Sequence, residues 1–253
     1  MEAADRFEKD GFVVLERVFD PAFIDALRAE YVRQFPNIAR DATAYVVGDR
    51  RLQVAVQLTG PFLSPDLYAN PTVLALTKAA LGDDILIDNF SLVSALPGAA
   101  AQHAHADHPD LFPEHIFSRA VIRPYALNVA IPLIDLTPET GTTKLFTGSQ
   151  NRHWSEDLFI LPYIARGGCY LADYRLRHFG TENRTSAERP IVYLTFARPW
   201  FTDVVNYEGN VRIKLAIDDL PAIPEEYRPL FRRLAAKGAF DRTAKELFKI
   251  PVK

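Results

Sequence analysis

The sequence predicts a mostly β fold with flanking helices, built on either an antiparallel barrel or a two-sheet jelly roll. Three observations carry that expectation. Apolar segments of strand length recur after residue 82 with no long helix between them, turn signals separate them, and helical periodicity is confined to the two ends of the chain. The 253 residues are 48% hydrophobic and 24% charged, which supplies material for one sizeable core. A single domain over residues 1–253 is expected, with a helical part at about 1–82, the sheet core at about 83–202 and a helical tail at about 219–250.

Residues 3–9 read as a short helix that Gly11 stops, and residues 12–15 are an apolar run of strand length. Asp20-Pro21 pairs an N-cap with a first helical residue, and Phe23, Ile24, Leu27, Tyr31 and Phe35 follow at helical spacing. The region 40–65 is mixed; alternation over residues 52–58 places Gln53 and Gln57 on one face. Asn70-Pro71 opens a second long helix, and Gly82 closes it. Strands are then expected at 85–96, 126–134, 144–146, 169–172 and 191–196, with turns at Pro97-Gly98, 138–141, Gly148-Ser149, Gly167-Gly168 and Gly180. Residues 111–124 break this rhythm and read as a lid or entrance loop, where Arg119 and Arg123 could meet an anionic substrate. Residues 225–236 and 242–248 are expected to form helices on the outer face of the sheet.

Composition excludes several classes of function. A net charge of -3, from 29 basic and 32 acidic residues, argues against a nucleic-acid partner. The single cysteine, Cys169, cannot form an intrachain disulfide or a multi-cysteine metal site. The charged beginning of the chain and the lack of any apolar run of bilayer length predict a soluble, cytoplasmic protein with no membrane partner. An oligomer is compatible with the sequence and not specified by it.

The chemistry concentrates in A-Q-H-A-H-A-D-H, residues 101–108, with three histidines and an aspartate. On an extended strand His103, His105 and Asp107 share one face and His108 takes the other. An imidazole and a carboxylate so placed suit the facial triad of non-haem iron(II) oxygenases, which needs one further ligand and an open opposite side. The third ligand must come from His115, His153 or His178. His178 has the richest surroundings, between two expected strands, with Arg189 eleven residues on. If His178 ends one strand and Arg189 begins the next, adjacent antiparallel strands bring them side by side. A guanidinium there suits the distal carboxylate of 2-oxoglutarate, a cosubstrate that chelates iron(II) through its other end. Thr185 or Ser186 could add a hydroxyl donor to that carboxylate.

Q-H-A-H-A-D, E-T-G-T-T-K-L-F-T-G-S, D-Y-R-L-R-H-F-G-T-E-N-R-T-S-A-E-R and A-R-P-W-F together resemble the successive signatures of the phytanoyl-CoA dioxygenase family. The N-terminal F-E-K-D-G-F-V-V-L-E-R-V-F-D is similar to that family's opening, so the resemblance spans most of residues 6–201. It implies a double-stranded β-helix, a cupin-like jelly roll, and a dioxygenase using Fe(II), 2-oxoglutarate and O2 on a small molecule. It implies iron ligation by His105, Asp107 and His178, with Arg189 pairing the cosubstrate and Asn183 and Thr185 near it. Gln150 stands where the family usually has a histidine that is not a ligand, and Ala104 precedes the first ligand where relatives often carry a bulky residue. Related iron halogenases replace the ligand carboxylate with a small residue; Asp107 therefore favours hydroxylation over halogenation.

Two other readings compete. A cupin-like site would use His103, His105, a carboxylate such as Asp110 and a later histidine, but it lacks a glutamate at the expected spacing and leaves Arg189 without a role. A non-catalytic or non-redox metal-binding module, or a partner subunit that retains the ligands, is the alternative from a different class. Under the oxygenase reading His103 neighbours the ligands or lines the pocket, His108 is solvent-facing or structural, and His115 in the lid could meet substrate. Asn89 and Asn128, on expected inward strand positions, are candidate pocket residues. Tyr193, Phe196, Trp200 and Phe201 read as core or pocket-wall aromatics.

Overall fold

Helix starts and stops follow the capping residues. In a computed structural model, which describes residues 2–112, 121–151, 155–206 and 211–236, α1 covers Glu2–Asp10 and α2 covers Pro21–Gln34. The Asp20 carboxylate accepts from the Ala22 backbone N–H at 2.8 Å, filling one donor at the start of α2. After a short α3 (Pro65–Tyr68), α4 (Pro71–Leu81) begins under Asn70, whose side chain accepts from Thr72 and Val73, and ends at Gly82 with φ 89°. No helix among the described residues is long and apolar enough to cross a membrane.

The strands are β1 (Phe12–Leu15), β2 (Tyr45–Gly48), β3 (Arg51–Val54), β4 (Leu86–Ala95), β5 (Ala126–Pro132), β6 (Thr143–Phe146), β7 (Phe159–Ile160), β8 (Cys169–Asp173), β9 (His178–Gly180) and β10 (Arg189–Ala197). They form two antiparallel sheets that pack as a jelly-roll core. The larger has the order β1-β8-β5-β10-β4-β3-β2 and the smaller β7-β6-β9.

Alternation along the strands explains the layers. Leu92 on β4, Val129 and Ile131 on β5, Leu171 on β8 and Val192 and Leu194 on β10 bury one face of the large sheet against Ile24, Leu27 and Tyr31 of α2 and Val73 and Leu81 of α4. The intervening residues face the small sheet. Some are apolar and close one end, where Ala130, Tyr170 and Ile191 meet Leu145 and Leu176. Others are polar and leave a cavity.

Several expectations shift by local physics. The mixed region contains a two-stranded hairpin, β2–β3, that ends at Val54, so Gln57 does not share a strand face with Gln53. Gln57 instead exchanges hydrogen bonds between its backbone and the Gln34 side chain. The helix expected over 225–236 is 3-10 over Glu225–Phe231 and α-helical only in α5 (Arg232–Ala236). Pro229 interrupts it, lacking the N–H that an α-helical ladder requires. This segment packs where expected, with Leu230 and Phe231 in the helix-side core and the Phe231 ring 5.1 Å from that of Tyr68. Arg212 and Arg233 both pair with buried Asp88 on β4. Residues 242–248 and most of the expected lid lie outside the described residues.

Candidate active site

The residues of 101–108 do not form a regular strand. His105 alone makes a bridge, exchanging backbone hydrogen bonds with His178 at 3.0 and 2.8 Å. That bridge extends the edge of the small sheet at β9 and holds the two imidazoles with ring centroids 4.6 Å apart. Each ring is oriented by its own backbone surroundings. Nδ1 of His105 lies 2.9 Å from the His103 carbonyl, and Nδ1 of His178 lies 2.9 Å from that of Leu176. A carbonyl accepts only, so Nδ1 carries a proton in both rings, and in the neutral tautomer Nε2 presents the lone pair. Asp107 Oδ1 lies 3.6 Å from His178 Nε2, and the three candidate ligand atoms all lie within 4.8 Å of one another. Burial, and next the neighbouring His178, push the His105 pKa down, so its imidazole is neutral and free to coordinate over a wider pH range. Two imidazole nitrogens and one carboxylate oxygen converging on one point form a donor set suited to a divalent first-row metal.

The triad opens onto a cavity of about 740 Å³ between the sheets. Arg189 lies in its wall, 2% exposed. Its Nη1 donates to the carbonyls of Thr140 at 2.9 Å and Thr181 at 3.2 Å, while its Nε is buried without a partner. Burial lowers its pKa, and no carboxylate among the described residues pairs with it. A buried guanidinium that meets only carbonyls is incomplete, and an anion from a ligand would complete it. Gly141, at φ 75°, makes this placement possible, because a Cβ there would overlap the Glu182 carbonyl oxygen and the Arg189 guanidinium. Gly141→Ala is therefore expected to cost about 1–3 kcal/mol in urea unfolding and to displace Arg189.

His178 and Arg189 are not on adjacent strands as the spacing suggested. His178 begins β9 in the small sheet, and Arg189 begins β10 in the large one. They face one cavity from opposite layers. The loop between them turns inward. Asn183 donates to the carbonyls of Ala95 at 3.0 Å and Ala187 at 2.7 Å and accepts from the Thr185 hydroxyl at 2.7 Å, and Ser186 is exposed. None of these three is among the residues that line the cavity. The Asn183 and Thr185 side chains satisfy backbone groups that a tight loop would otherwise leave unpaired.

Of the expected pocket residues, His103 and Asn128 line the cavity. Asn89 is fully buried beneath the wall, donating to Ser91 Oγ at 2.9 Å. His108 points away and packs on Phe201, with ring centroids 5.2 Å apart. His115, His153 and Arg119 lie outside the described residues. Arg123 is exposed beside a separate cavity of about 250 Å³ between α1 and α4. Phe196 and Phe201 are buried and Tyr193 lines the cavity, whereas Trp200 is 63% exposed and not a core residue. Gln150 is buried and donates to the carbonyl of Glu8 at 3.2 Å, tying the position of the missing histidine to α1.

Sequence reading missed Arg51. It projects from β3 into the cavity wall, where Nη2 donates to the carbonyls of Ala100, Gly180 and Thr181 at 2.9, 3.1 and 2.5 Å. Burial, and next the Arg189 guanidinium, push its pKa down to about 10. Its alternation with Gln53 was the available signal, once residues 51–54 are recognised as a strand with one face toward the cavity.

A jelly roll in which two histidines, a carboxylate and a buried arginine line one cavity defines the class as a metal-binding member of the cupin-like β-helix proteins. The sequence model of the family described as phytanoyl-CoA dioxygenase (PhyH) matches residues 7–191, and the chain belongs to that family. The dioxygenase af480 of Aspergillus fumigatus is 30% identical over 168 residues, 63% of this chain and 53% of that protein, so the match spans about half the length of that curated relative. Among solved structures, the 2-oxoglutarate-dependent epimerase SnoN from nogalamycin biosynthesis superposes with a TM-score of 0.60 at 18% identity, over 78% of this chain and 81% of that one. HygX from Streptomyces hygroscopicus, solved with nickel, 2-oxoglutarate and hygromycin B, gives a TM-score of 0.61 at 15% identity, over 84% and 95%. At these identities the structural likeness speaks for the fold.

Proposed function

We propose that this protein is an Fe(II)- and 2-oxoglutarate-dependent dioxygenase that hydroxylates an unactivated C–H bond of a small molecule. The observation that carries the reading is the meeting, in one cavity, of the His105, Asp107 and His178 ligand atoms with a buried Arg189 that has no carboxylate partner among the described residues. The residues present fit the cofactors. His105 Nε2, His178 Nε2 and an Asp107 oxygen would hold the iron, and Arg189 would pair with the distal carboxylate of 2-oxoglutarate. Iron(II), 2-oxoglutarate and O2 together supply an oxidation that releases succinate and CO2 and delivers one oxygen atom to the substrate.

The protein's part is positioning and shielding. The His103 and Leu176 carbonyls keep both imidazoles in the ligating tautomer. Thr140 and Thr181 hold the guanidinium in place before any anion arrives. A cavity of about 740 Å³ leaves ample room beyond a five-carbon cosubstrate, within the roughly 300–1,000 Å³ typical of sites for drug-sized ligands. Val46 and Val205, both strongly exposed, stand at its wall and would meet apolar parts of the substrate. The carboxylate of Asp107 weighs against halogenation, since it occupies the place a halide would need.

Two measurements test the reading. Anaerobic addition of Fe(II) and then 2-oxoglutarate is expected to produce a weak visible charge-transfer band. A substrate screen read by 2-oxoglutarate consumption should find a compound whose product gains one oxygen atom. Tight binding of zinc with no band would favour a non-redox metal module, and a product of unchanged mass and inverted configuration would favour epimerisation.

A further inference from the structure

Asn128 projects from β5 toward the cavity, and both ends of its amide are held. Its Nδ2 donates to Asp107 Oδ2 at 2.8 Å, and its Oδ1 accepts from Thr195 Oγ1 at 2.6 Å. Thr195 stands directly opposite Asn128 in the β5–β10 register and is 1% exposed. This pairing sets the orientation of the amide. Turning it over would place its oxygen against a carboxylate oxygen, where neither can donate. The backbone of Asp107 is held too, because Asn206 donates to its carbonyl and is itself anchored on Asp203, which accepts from Tyr174 at 2.6 Å. The two carboxylate oxygens of Asp107 therefore differ. Oδ2 is capped by an amide N–H, whereas Oδ1 is the oxygen recorded at 3.6 Å from His178 Nε2.

Resting on the functional reading above, we infer that Asn128, set by Thr195, is a positioning residue that caps Oδ2 of Asp107 so that the carboxylate offers the metal only Oδ1. A carboxylate with both oxygens free can chelate an ion and close a coordination position. One whose second oxygen is hydrogen-bonded binds through the other and leaves that position for the cosubstrate. Asn128 thus serves the metal ligand, with one amide N–H on Oδ2 of Asp107 and its oxygen held by Thr195. A purely structural role, filling the space between β5 and β10 and satisfying Thr195, makes a different prediction: metal and cosubstrate binding would be indifferent to the amide.

The test uses the full chain with Asn128→Leu, which keeps the shape and removes the hydrogen bonds, and Thr195→Val, which keeps Asn128 and frees its amide to turn. Cooperative urea unfolding of the metal-free proteins reports folding. Anaerobic Fe(II) titration, the absorption spectrum of the Co(II)-loaded protein, and the visible band on adding 2-oxoglutarate report the site. Asn128→Leu is expected to weaken Fe(II) by about 10- to 100-fold, as loss of an outer partner of a ligand typically does. It should also alter the Co(II) spectrum and diminish the 2-oxoglutarate band, and Thr195→Val should move all three the same way by less. Wild-type Fe(II) affinity, Co(II) spectrum and band in a folded Asn128→Leu protein would overturn the inference while leaving the functional reading intact. If Asn128→Leu does not fold, a Thr195→Val protein with wild-type values overturns it equally. A wild-type protein that shows no Fe(II)-dependent 2-oxoglutarate band would instead overturn the functional reading.

Discussion

Asp107→Ala is expected to abolish 2-oxoglutarate-dependent succinate formation, and His178→Ala to do the same. Each removes one of three donor atoms that lie within 4.8 Å of one another. Loss of the carboxylate removes the only anionic donor of the set, leaving two neutral imidazoles to hold a divalent ion. Fe(II) affinity should fall beyond the roughly 10- to 100-fold that follows from losing an outer partner. The fold should survive Asp107→Ala, because His105 and His178 are joined through their backbones and Asp107 is only partly buried. The expected pattern is an unchanged urea midpoint for the metal-free protein with metal binding and turnover lost together. A fully active variant of either residue would sink the assignment of these ligands.

Arg189→Met should separate cosubstrate affinity from stability. In the wild type the guanidinium is 2% exposed and meets carbonyls but, among the described residues, no carboxylate, so its charge is poorly compensated. Methionine retains much of the aliphatic stem and removes a charge that burial disfavours, so the metal-free protein should be near wild type in stability. With 2-oxoglutarate the sign reverses. A charged hydrogen bond is worth about 1.5–3 kcal/mol, so the apparent KM for 2-oxoglutarate should rise by roughly 10- to 150-fold, with turnover recovered at high concentration. Unchanged affinity would move the anchoring role elsewhere, and Arg51, in the same wall, would be the residue to examine next.

The local structure was legible because its causes are local. Asp20-Pro21 and Asn70-Pro71 mark helix starts that their own side chains cap, and Gly82 ends α4 because its positive φ suits a residue without Cβ. Apolar runs of strand length, bounded by turn signals, located β1, β4, β5, β8 and β10 within a few residues. β7 escaped notice because two residues carry no period, and β9 because its three residues belong to a strand only through their partners.

By itself the sequence determined the strand-rich class, the boundaries of α2 and α4 and, through the spacing of His105, Asp107, His178 and Arg189 and the resemblance they carry, the candidate ligands. Only the tertiary structure decided how they meet. His178 and Arg189 line one cavity from different sheets, Arg51 reaches a carbonyl 130 residues away, and Asn128 caps a carboxylate while Asn183 reaches the Ala95 and Ala187 carbonyls and accepts from Thr185. Spacing along a chain fixes which face of a strand a residue occupies. Which group lies opposite depends on strand pairing and sheet packing, and those are set by the burial of the whole core.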